Sequence, residues 1–236
     1  QADNEAQPHF TQPVRQIVLM LTVIGLTTFG AFVALPQVLP VFEANPQLNS
    51  FIFLVFLIGV VACFWQVFQL IGSVIWLKRF ASDTSEVNSK APQLLAPLAS
   101  LLRTRGARMQ INTSSTRSIL DSVATRIDEA REITRYIVNT LIFLGLLGTF
   151  YGLATTVPAL VDTIRSLAPK DGEASVAVFG RLMTGLESQL SGMGVAFASS
   201  LLGLAGSLVV GILELFAGHG QNRFYRELEE WLSSIT

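Results

Sequence analysis

The chain has 236 residues, half of them hydrophobic and only 14% charged, with a formal net charge of −1. Soluble domains carry roughly 25% charged residues, so this composition points to a membrane, and the balanced charge excludes a broad electrostatic surface for nucleic acid. Cys63 is the single cysteine, which excludes an intramolecular disulfide or a cysteine-cluster metal site; His9 and His219 lie far apart and read as solvated or interfacial groups.

Residues 1–14 form a polar leader with no signal-peptide apolar core. Four hydrophobic runs follow, each measured against the roughly 20 residues needed to cross a bilayer. The first, 15–41, has no charge between Ile17 and Leu39 and is expected to close at Pro36 and Pro40. The loop "EANPQLNS" separates it from the second run, 51–77, whose strongly polar side chains are Gln66 and Gln69. Trp76 stands where an interfacial anchor is expected.

Residues 78–133 are expected to be a cytoplasmic helical region. Within it "SDTSEVNSKAPQ" is turn-rich, and "LLAPLASLL" is a short apolar helix candidate interrupted by Pro97. From about Thr116, Ile119, Val123, Ile127, Ala130, Ile133 or Thr134, and Ile137 recur at helical steps. No Gly or Pro intervenes before the third run, 134–160, so one continuous helix is expected to leave the membrane there. Its charged residues Arg126, Asp128, Glu129, Arg131 and Glu132 read as a solvated face.

Residues 161–190 are too charged to span. "DTIRSL" and "VFGRLMTGLESQL" read as helix extensions joined by the turn "APKDGE". The fourth run is 191–217. Residues 218–236 read as an amphipathic cytoplasmic helix, with Phe224, Leu228, Trp231 or Leu232, and Ile235 on one face, packed on the long helix or laid on the membrane. The expected fold class is therefore all-α: a polytopic protein with four transmembrane helices and long helical cytoplasmic extensions. Lys and Arg crowd residues 78–135 and flank the outer ends of runs one and four, whereas only Arg165, Lys170 and Arg181 fall opposite. The positive-inside rule then places both termini in the cytoplasm.

The first two spans are bulky and suited to lipid. The last two carry strips of small side chains. Gly145, Thr149, Gly152 and Thr156 form one stripe, with Gly148 adjoining; Gly192, Ala196, Ser199, Gly203, Gly206 and Val210 form another, widened by Ser200 and Ser207. Such strips let transmembrane backbones approach closely, and hydroxyls can bond back to their own helix, so packing alone accounts for one strip. Two strips beside two bulky helices also suit a narrow ion path. Spans one to three have no Asp, Glu, Lys, Arg or His in their interiors, and Glu214 lies near one end of span four. A proton relay at membrane depth needs such a group, so a path here requires a carboxylate from another chain. Thr149, Ser199 and Ser200 are its candidate lining in this one.

"LGLLGTFYGL" followed by "GMGVAFASSLLGL" resembles the proton-channel family of MotA, TolQ and ExbB. The resemblance covers Thr134 to Leu215, about a third of the chain, and the four-span count is similar to the MotA arrangement. It implies a bacterial inner-membrane homopentamer around two copies of a single-span MotB/TolR/ExbD-like partner that supplies the membrane Asp. Proton or sodium flow would then drive mechanical work on a rotor or the cell envelope. By match, Thr149 takes the threonine position of the first motif and Ser200 that of the second, where the family usually has Thr. The alternative is a non-conducting oligomeric scaffold in which the strips only pack helices. No nucleophile–base pair, metal cluster or phosphate loop points to an enzyme, and no cofactor is expected beyond the transported ion.

Overall fold

The computed structural model describes residues 10–81, 91–105, 113–168 and 174–234. His9, most of the leader, nearly all of the turn-rich 82–92 stretch, Lys170 and most of the 168–173 turn, and Ile235 lie outside the described residues. Every regular element among those described is helical: α1 (Val14–Val33), α2 (Leu35–Ala44), α3 (Pro46–Ala81), α4 (Ala96–Arg105) preceded by a 3-10 turn at Gln93–Leu95, α5 (Thr113–Ser166) and α6 (Ser175–Ser234). Of these, α1, α3, α5 and α6 are long and apolar enough to cross a membrane, with mean hydropathies of 2.0, 2.6, 1.8 and 2.0 in their most apolar stretches.

Three local expectations need correction. The first long helix ends at Val33, and Pro40 lies inside α2 instead of closing a span. Pro36 opens α2 because its missing N–H falls in the first turn, where no intrahelical partner exists. The "EANPQLNS" stretch is almost wholly helical: only Asn45 separates α2 from α3, and Pro46 begins α3. The Asn45 side chain accepts from the Leu48 N–H at 3.3 Å, which caps the new helix. Pro97 does not interrupt α4, since it too stands in a first turn.

The chain divides into two compact units. The first takes the described parts of Gln1–Gly25, Gly59–Tyr136 and Val210–Thr236; the second takes Leu26–Ile58 and Ile137–Val209.

The first unit has a core of large side chains. Leu70, Val74 and Leu77 of α3 meet Leu95 and Leu98, then Ile119, Val123 and Ile127 of α5, and Phe224, Leu228, Trp231 and Leu232 of α6. Burying each such side chain contributes about 1.5–3 kcal/mol. Both Trp231 and Leu232 are buried, so the α6 face is wider than the alternation suggested. On α5 the stripe continues through Thr134, which is fully buried, while Ile133 is 62% exposed. Trp76 stacks on Phe80 with centroids 5.6 Å apart and packs against this core, which gives it a role besides any interfacial one.

A buried polar network crosses the same unit. The Arg131 Nε donates to Gln221 Oε1 at 2.9 Å, and the Gln221 amide donates to Gln66 Oε1 at 3.2 Å. The Gln66 Nε2 then donates to the Ala130 carbonyl at 3.0 Å and to the Thr134 hydroxyl. Buried amides are costly without partners, and each end of Gln66 has one.

Candidate functional site

In the second unit α5 and α6 run antiparallel with their small residues facing one another. Pairing is read from what a Cβ added at each glycine would meet. At Gly203 it would lie 2.5 Å from the Leu141 carbonyl oxygen and 2.8 Å from the Gly145 Cα. At Gly148 it would strike Ser199, at Gly152 Ala196, and at Gly192 Thr156, each at 2.3–2.4 Å. Beyond these, a Cβ at Gly185 would strike the Thr163 side chain, which extends the seam past the stretch singled out by sequence. Contacts this close are possible only because one side of each pair lacks a Cβ.

The seam sorts the candidate residues. Gly145, Gly148, Gly152, Thr156, Gly192, Ala196, Ser199 and Gly203 stand in it. Gly206 is looser, with Phe56 at 3.4 Å and Leu141 at 3.7 Å. Gly148, expected only to adjoin the stripe, is buried in the contact, whereas Thr149 sits beside it and is half-buried. The Thr149 hydroxyl donates to the Gly145 carbonyl one turn back at 3.3 Å, a long bond that satisfies the group within its own helix. Ser200 turns its backbone, not its side chain, to Gly145, and its Oγ makes no hydrogen bond among the described residues. The three hydroxyls are thus not equivalent.

Ser199 is held by a residue that sequence reading passed over. Its Oγ donates to Asn49 Oδ1 at 2.8 Å, and both residues are buried. The Asn49 Nδ2 in turn donates to the carbonyls of Val41 and Phe42 at 2.9 and 3.2 Å, near the end of α2. Asn49 therefore joins α2, α3 and α6. Its amide supplies both the donor that terminal helix carbonyls lack and the acceptor that Ser199 needs. The one available signal was an asparagine placed four residues after Asn45 at the edge of an apolar run.

At the far end of the seam, Asp162, Thr163 and Ser166 of α5 face Arg181, Thr184 and Ser188 of α6 across an open groove of about 560 Å³. The groove is polar-rimmed, and its Asp and Arg carry opposite charge. Comparison of the chain with family models, with curated proteins and with solved structures finds no match in any of the three.

Proposed function

We propose that the chain is a ring-forming subunit of an ion-driven membrane motor or stator channel, with a single-span partner that supplies the membrane carboxylate. The observation that carries this reading is a division of labour along α5 and α6. Glycines and alanine are consumed in the seam, while the Thr149 and Ser200 hydroxyls stay beside it, one weakly self-bonded and one without a bond among the described residues. Hydroxyl oxygens at membrane depth serve water-borne protons or a hard cation, and the interiors of the first three spans offer no Asp, Glu, Lys, Arg or His to do so alone. The motif resemblance supports the same reading and adds a pentamer of this chain around a partner dimer, in a bacterial inner membrane with both termini cytoplasmic. Ion flow would then perform work on a rotor or on the cell envelope.

Ser199 favours a narrower lining than its neighbours in sequence suggested. Its hydroxyl is spent on Asn49, so Thr149 and Ser200 carry the path and Ser199 holds the helices. The test is ion flux in vesicles containing the chain and its single-span partner, read with a pH-sensitive or sodium-sensitive dye. Thr149→Val removes the hydroxyl at nearly constant volume and is expected to cut flux at least ten-fold while the assembly keeps its subunit count. Unchanged flux from an intact Thr149→Val assembly sinks the reading.

One observation favours the rival scaffold. The seam already accounts for every glycine in it by helix packing, as small-residue strips do in proteins that transport nothing. On that reading Gly203→Leu destroys the oligomer, Thr149→Val is silent, and no ion flux is found.

A further inference from the structure

We propose that the first unit contains a binding site for the phosphate headgroup of an anionic phospholipid, walled by the start of α1 and the last third of α6. The site is a cavity of about 410 Å³ in which Arg15, Arg223, Arg226 and His219 surround an apolar side formed by Leu19 and Phe216. Its walls are pinned together. The Phe10 ring packs on Phe224 and edge-on to Trp231, with centroids 6.4 and 6.0 Å apart. The Thr11 N–H donates to Glu227 Oε2 at 2.9 Å, and its hydroxyl donates to the other carboxylate oxygen. Gly220 is buried, and a Cβ there would press on Leu70 and meet Gln16 and Pro13, so the glycine lets the start of α1 pack close against α6.

Charge decides the ligand. Glu227 pairs with Arg223 at 3.1 Å, and Arg15 and Arg226 have no ion pair among the described residues. Two guanidiniums without an ion pair among the described residues, set beside a cavity, suit a phosphate, which accepts bidentate hydrogen bonds. Depth selects the source of that phosphate. The uncharged stretch of α1 begins at Ile17, and that of α6 ends at Leu213, just before Glu214, so the cavity lies at the level where apolar helix gives way to charged helix. An acyl chain can follow Leu19 and Leu215 while the headgroup meets the arginines, and basic pockets between spans hold anionic lipids in this manner. The inference requires only that α1 and α6 enter a bilayer; it is independent of the ion path.

The experiment uses the full chain, extracted and exchanged into detergent with dioleoyl phosphatidylglycerol or dioleoyl phosphatidylcholine, and counts retained lipid by native mass spectrometry. Phosphatidylglycerol is expected to be retained at least ten-fold more tightly. Arg15→Gln with Arg226→Gln should weaken that retention by roughly thirty-fold, about five-fold for each positive charge near the headgroup. Arg117→Gln with Arg165→Gln removes as much charge from exposed positions elsewhere and should leave retention unchanged. Equal losses from both pairs mean general electrostatic attraction and overturn the site. Displacement of the lipid by millimolar inorganic phosphate, or equal retention of the two lipids, overturns the lipid assignment.

Discussion

The two units are held by opposite strategies. The first unit fills its core with Leu, Ile, Phe and Trp, with Leu70, Leu77, Leu95, Leu98, Ile119, Leu228 and Leu232 fully buried. Among the described residues of the second unit, Leu141 is the fully buried large side chain, and the contact between α5 and α6 is made by Gly, Ala, Ser and Thr. Hydrophobic burial drives association only where water is the competitor. Between helices in lipid, chains as apolar as Leu gain nothing by leaving the surroundings, so close van der Waals approach has to do the holding. The exposed surface of the second unit agrees, with Phe143, Leu147, Phe150, Phe197, Leu201 and Leu208 all more than half exposed. Large residues face outward there, whereas the first unit turns one set of them into its core while others, Trp65 and Phe68 among them, stay more than half exposed.

The sharpest way to break this contrast is to exchange the strategies. Gly203→Leu is expected to abolish the α5–α6 contact, because the atoms a side chain would meet are backbone atoms that cannot turn aside. Size-exclusion profiles and thermal unfolding in detergent should show loss of the folded species, while Gly203→Ala costs about 1–3 kcal/mol by overpacking. Gly194→Ala, with nothing within 4 Å, is the control and should be tolerated.

In the first unit the damaging change is the reverse one. Leu228→Ala empties a fully buried position and should destabilise that unit by about 2–5 kcal/mol, measured by denaturant titration of circular dichroism. A smaller effect is expected from Gln66→Leu. It strands the Gln221 amide and leaves Thr134 and the Ala130 carbonyl one donor short, a cost of about 1–3 kcal/mol for a buried polar group left unmade. Stability within 0.5 kcal/mol of wild type, roughly the spread of neutral surface changes, would show that the network is incidental.

The smallest effect is in pH. Burial against the first unit's core raises the Tyr225 phenol above its ordinary value, and the Glu229 and Asp121 carboxylates push it further in the same direction. The folded state therefore holds this proton more tightly than the unfolded chain does. Its contribution is fully present below the ordinary phenol pKa of about 10 and is lost as pH rises through the folded value. Tyrosinate absorbance should show a late phase that Tyr225→Phe removes. A late phase that survives in Tyr225→Phe assigns the shift to another tyrosine.

Residues whose environment follows from local periodicity were legible in the sequence. Ile119, Val123 and Ile127 recur at helical steps, and all three are buried. The seam residues were legible as small, because small side chains at helical spacing have one main use in an apolar helix. Which of two adjacent residues faced the partner was not legible. Gly148 and Thr149 differ by about 100° around the helix, as do Ile133 and Thr134, and only the neighbouring helix selects between them. Pro36 and Pro97 misled for a related reason: a proline breaks a helix interior but opens a first turn at no cost, and the distinction depends on where the preceding helix stops; Pro40 stands inside α2 and has no such account.

By itself, the order of residues determined that this chain is helical, that four of its helices are apolar enough for a membrane, and that the last two carry small, hydroxylated strips. Those properties belong to single helices, where a period of 3.6 and a count of apolar residues suffice. The tertiary structure alone decided that the strips meet each other, that Ser199 is tied to Asn49 while Thr149 and Ser200 are not, and that Arg15 shares a cavity with Arg226. Each of these joins residues far apart in the chain, and a pairing of that kind is settled only by which surfaces fit once the helices pack.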